Sequence, residues 1–113
     1  MTEEKLTQFK ARVQKDYNEL INKFKKLGIS SVVNSAYEIA CYNEIADLCD
    51  DEDIDYSMLD ERTIDLMISF EGNTVQKIWV NWLNYRHPER YNFFVREDLI
   101  GIIDYAFLGE YSK

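Results

Sequence analysis

TEEKLTQFKARVQKDYNELINKFKKLG, residues 2–28, places Leu6, Phe9, Val13, Tyr17, Leu20, Ile21, Phe24 and Leu27 at recurring steps of three and four. That spacing lays the apolar side chains along one stripe of a long amphipathic α-helix. Gly28 follows the last apolar residue, where a left-handed helix cap is easiest for a residue without Cβ. Ser30 or Ser31 can then accept from the first amides of a second helix, whose stripe runs Val33, Ala36, Tyr37, Ala40, Cys41, Ile45 and Leu48. The two segments predict an N-terminal helical hairpin with a tight connection.

Outward from the hairpin the helical spacing recurs. Residues 50–55 lack any apolar period and read as a connection. Ser57 is the expected N-cap of a short third helix over residues 57–69, using Met58, Leu59, Ile64, Met67 and Ile68. Asp60 and Glu61 fall in its first turn, where carboxylates are favoured by the helix dipole. EGNT at residues 71–74 stops that helix, and Asn73 or Thr74 opens a fourth through Val75, Ile78, Trp79, Trp82 and Leu83. Pro88 suits the first turn of a fifth, because proline has no amide proton to leave unpaired. The closing stripe is Tyr91, Phe94, Val95, Leu99, Ile102, Ile103, Ala106 and Phe107.

Only four glycines and one proline stand in 113 residues, too few for the many turns of an all-β fold. With 46% apolar residues the chain can bury a core. The expectation is an all-α fold: one compact domain over residues 1–113, of about five helices. No apolar run approaches bilayer length and MTEEKLTQFK lacks a signal-peptide core, so a cytoplasmic location without membrane contact is expected.

Charge is unevenly placed. The net charge is −8, yet residues 44–65 hold ten acids against Arg62 alone, and the first 27 residues are basic at +3. Backbone binding to nucleic acid depends on neutralising phosphates with Lys and Arg, so direct DNA binding is not expected. The acidic segment is instead a candidate partner-binding surface, formed by Glu44, Asp47, Asp50, Asp51, Glu52, Asp53, Asp55, Asp60 and Glu61. An ordinary solvated connection is the competing reading. An alternative surface is Tyr85, Arg86, Arg90 and Phe93, which fall off the apolar face of Trp79, Trp82 and Leu83, and aromatic residues with arginine are common interface anchors.

Chemistry is sparse. Asp51, Asp53 and Asp55 match the first calcium-loop positions, but Tyr56 replaces the required glycine and Arg62 the closing glutamate. Cys41 and Cys49 lie eight apart on one predicted helix, about 12 Å along its axis, too far to bridge. The lone histidine, His87, has no nucleophile motif beside it, and no Gly-rich phosphate loop exists. No catalytic residue, cofactor or metal is expected, and the chain is read as no enzyme.

NSAYEIACYNEIADLCDD, preceded by DYNELINKFKKL and followed by LDERTIDLMIS and IWVNWL, resembles a family of small uncharacterised acidic helical domains. These are encoded on conjugative elements and plasmids of Gram-positive bacteria. The resemblance covers roughly residues 8–107 and implies a helical hairpin and a later tryptophan-bearing helix. It also implies an anti-defence setting, since such elements counter host nucleases. The expected function is a non-enzymatic anti-CRISPR protein that binds a Cas9-type nuclease, or its guide RNA complex, and blocks a basic nucleic-acid-binding surface. An antirestriction DNA mimic and a mobile-element regulatory interaction module are the alternatives.

Overall fold

The opening segment is helical as read: in the computed structural model helix α1 spans Glu3–Leu27 and buries Phe9, Val13, Asp16 and Leu20, while Leu27, expected on the buried stripe, is exposed. Residues 3–51, 56–85 and 96–109 are described, and across them the domain is all-α, with no strand. After α1 come α2 (Ile29–Asn34), α3 (Ala36–Cys49), a 3₁₀ turn at Tyr56–Met58, α4 (Glu61–Ser69), α5 (Thr74–Tyr85) and α6 (Arg96–Leu108). The central helix α1 touches α2, α3, α4 and α5, while α6 closes on α4 and α5. Phe9, Tyr42, Ile45, Ile64, Met67, Ile78, Leu99 and Ile103 are fully buried between these layers. Each large apolar side chain removed from water contributes about 1.5–3 kcal/mol, so this cluster is the main source of stability.

The hairpin forms, but its second arm is broken. Ser35 (φ −107°, ψ 18°) ends α2 and opens α3, so one predicted helix becomes two. Beyond the break Cys41, Ile45 and Leu48 are buried as expected, with Tyr42 and Cys49 beside them, whereas Val33, Ala36 and Tyr37, also expected inside, are exposed. Gly28 stands alone between α1 and α2, at φ 99° and ψ 176°. This is the mirror-extended region, which only glycine adopts at low cost, and not the left-handed helical cap expected. Gly28 also takes the N-cap position of α2, with its carbonyl accepting from Val32 N–H at 3.2 Å. Ser30 and Ser31 therefore lie within α2 and cap nothing, because a one-residue connection leaves no room for a serine ahead of the first turn.

At α4 the expected cap also moves. Ser57 lies in the 3₁₀ turn, closed by Leu59 N–H donating to Tyr56 O at 3.0 Å. Asp60 is the N-cap, accepting from Arg62 N–H at 2.9 Å. Leu59, Ile64 and Met67 are buried as expected, whereas Met58 and Ile68 face outward. Asn73 caps α5 as read, its Oδ1 accepting from Gln76 N–H at 3.0 Å. Helix α5 buries Val75, Ile78 and Trp82, with Trp79 and Leu83 half-buried against the same core. Pro88, Tyr91, Phe94 and Val95 lie outside the described residues, and α6 carries Leu99, Ile102, Ile103 and Ala106 inward. No described helix is long and apolar enough to cross a membrane.

Two charged residues on α1 join the layers. Arg12 lies 2.9 Å from the buried carboxylate of Asp16 and donates to the carbonyls of Met67, Ile68, Phe70 and Gly72, at and just beyond the end of α4. Asp16 accepts from Thr74 N–H at 2.8 Å, in the first turn of α5, and from the Thr74 hydroxyl. Helices lacking internal partners at their ends are thus satisfied by a side-chain pair from a third helix.

Candidate functional site

The acidic segment begins on the outer face of α3. Glu44 and Asp47, three residues apart, share a side of α3, and Asp50 and Asp51 follow its last residue, while Ile45, Leu48 and Cys49 fill the core. Asp47 and Asp50 are exposed, and Glu44 and Asp51 half-buried. Asp50 is the C-cap, its N–H donating to Ala46 O at 3.2 Å, and Asp51 N–H reaches Leu48 O at 3.2 Å. These carboxylates therefore crowd the negative pole of α3, whose last turn holds no basic residue. A charge of the wrong sign there costs about 0.3–1 kcal/mol, and each like-charge pair three or four residues apart about 0.2–0.5 kcal/mol. Stability does not account for the placement.

Tyr56 anchors the other end of the acidic connection. It is buried, its ring 5.1 Å from that of Phe9, and its hydroxyl donates to the Leu48 carbonyl. Both ends of residues 50–55 are thereby tied to the core. Glu52, Asp53 and Asp55 lie outside the described residues.

The remaining acids of the segment do other work. Besides capping α4, Asp60 forms an ion pair with Arg62 at 2.8 Å, which holds its carboxyl below the usual range. The Asp60 N–H donates to Asp104 Oδ1 at 3.3 Å, which also accepts from the buried Thr63 hydroxyl at 2.6 Å. Asp65 pairs with Lys5 at 2.9 Å, and that bond raises the lysine pKa. Glu61 is exposed in the first turn of α4. Glu44, Asp47 and Asp50 enter none of the described ion pairs. The structure thus separates an outward-facing row at the end of α3 from carboxylates committed to the fold around α4.

Of the alternative surface, Tyr85 is the last residue of α5. Its side chain, together with Arg86, Arg90 and Phe93, lies outside the described residues, as does His87. Trp79 and Trp82 belong to the core, with Trp79 edge-on to Tyr42 at 5.5 Å. Cys41 and Cys49 are buried thiols on α3, not joined in a disulfide, and burial pushes the Cys49 thiol up to about 12. A thiol so shifted supplies almost no thiolate near neutral pH. Among the described residues no three His, Cys, Asp or Glu side chains converge to hold a metal ion.

Asp16 and Arg12 were outside the sequence reading. The available signal was the position of Asp16 on the buried stripe between Val13 and Leu20, one turn after an arginine. Periodicity shows that such a residue is inside; it does not show what satisfies it.

No protein-family model, curated protein or solved structure matches this chain.

Proposed function

We propose that this protein is a non-enzymatic anti-defence inhibitor that occupies a basic nucleic-acid-binding surface of a Cas9-type nuclease through the outer end of α3 and the adjoining acidic connection. The placement of Glu44 and Asp47 on one side of α3, with Asp50 and Asp51 at the helix's negative pole, is the observation that supports this reading. Helix dipole and side chains add in sign there, and a concentrated negative field accelerates encounter with a basic groove and competes with phosphate for it.

The test is complex formation and DNA cleavage with a purified Cas9-type nuclease loaded with guide RNA. A stable complex that blocks cleavage, weakens as salt rises and is lost in a Glu44→Gln, Asp47→Asn, Asp50→Asn, Asp51→Asn variant is the expected result. Full inhibition by that variant would overturn the assignment of the surface. The same row would serve an antirestriction DNA mimic, so a restriction endonuclease in a parallel assay separates the two readings. Binding to neither nuclease would leave the regulatory-module alternative in place of both.

A further inference from the structure

Helix α2 has no buried residue, although it carries Ile29, Val32 and Val33 three and four positions apart on one side. Ile29 is 84% exposed and Val33 66%, and Leu27, at the end of α1 across Gly28, is 61% exposed. Four aliphatic side chains thus crowd one corner without a partner layer, while other aliphatics of similar size fill the core. Lys25 and Lys26 stand in the last turn of α1 and Lys23 just before it, and none enters a described ion pair. Beside it a cleft of about 480 Å³ runs along α1, lined by Glu19, Asn22, Lys23, Lys26 and Leu27.

We propose that the corner formed by the end of α1 and by α2 is a second docking surface, which takes an acidic amphipathic helix of a partner protein. The exposed aliphatic side chains of α2 and Leu27 match the apolar stripe of such a helix, and the lysines at the end of α1 select carboxylates on its flanks. Charge argues against the other occupants. A second copy placed symmetrically would bring the lysines of one chain against those of the other. An anionic bilayer gains about 1 kcal/mol for each lysine at its surface, so three lysines beside one short helix give it a weak hold. The surface is opposite in character to the acidic row, so the two can be occupied independently.

The experiment uses the full chain and a labelled synthetic helical peptide with a leucine stripe and glutamate flanks, read by fluorescence anisotropy. A peptide with the same stripe and lysine flanks, vesicles rich in phosphatidylserine, and sedimentation of the protein alone are the comparison arms. The glutamate peptide is expected to bind at least about tenfold more tightly than the lysine peptide, and to weaken with salt. Ile29→Asp with Val33→Asp, and Lys23→Glu with Lys26→Glu, should each abolish that binding and keep the parental thermal melt, since all four side chains sit outside the core. The variant neutralised at Glu44, Asp47, Asp50 and Asp51 should bind the peptide like the parent, which separates this surface from the proposed nuclease-binding one. Equal binding of both peptides, or of neither, would overturn the proposal. So would vesicle binding or self-association that is lost in the Ile29→Asp, Val33→Asp variant.

Discussion

Arg12 and Asp16, one turn apart on α1, hold the opposite poles of two other helices. The guanidinium accepts the role of cation at the carbonyl end of α4, and the carboxylate meets the amide end of α5 at Thr74. Each charge lies where the helix dipole favours it, and each neutralises the other at 2.9 Å. Gly72 permits the turn between those helices, since a Cβ there would come within 2.9 Å of the Phe70 ring.

Removing either partner of this pair should unfold the protein more readily than any surface change. Asp16→Ala strands a largely buried guanidinium and leaves Thr74 N–H unbonded, at an expected cost of about 3–5 kcal/mol. Arg12→Lys should recover little, because a point ammonium cannot reach four carbonyls as the planar fork does. Urea unfolding monitored by circular dichroism measures both, and a loss below about 1 kcal/mol for Asp16→Ala would contradict the role assigned to it.

The acidic row makes the reverse prediction. Asp47→Asn and Asp50→Asn together remove charges from the negative pole of α3, so the melting temperature should hold or rise, by an amount corresponding to about 0.3–1 kcal/mol for each charge. A marked fall would show that these carboxylates support the fold and are not held there for a partner.

Asp60 links the fold to pH. Its carboxyl is held below its ordinary value of 3.8, mainly by the hydrogen bonds with the Arg62 side chain and N–H. A depressed carboxyl contributes stability that is present above the unfolded value and lost as pH falls through the folded one. Asp60→Asn keeps an oxygen for the cap but cannot titrate, so its thermal melts should fall less steeply below about pH 4 than the parent's. Identical acid limbs for parent and variant would refute this linkage.

Neither cysteine should react in the native protein. Cys41 and Cys49 are buried, and the Cys49 thiol is pushed up to about 12 by burial. Iodoacetamide at mildly alkaline pH should leave both unmodified by mass spectrometry until denaturant is added, when two adducts form. Rapid native labelling of Cys49 would mean that α3 opens locally.

Patterns that repeat within one helix were legible from the sequence by itself. The stripe of α1, the all-α class, the burial of Val75, Ile78 and Trp82 and the cap at Asn73 all follow from spacing and from side chains that act on neighbouring amides. The concentration of acids around Asp47 to Asp51 was equally plain, because charge is counted along the chain. Tertiary structure alone decided that Asp65, in the same acidic segment, is committed to the fold, since it is engaged by Lys5, sixty residues away. It also decided the break at Ser35 and the exposure of Val33 and Tyr37, while Cys41, Ile45 and Leu48 of the same stripe stay in the core, since how much of a stripe is covered is set by the surface that receives it. Arg12 and Asp16 show the same limit. Their spacing on α1 is local, but the helix ends they satisfy begin more than fifty residues later and meet them only when the layers pack.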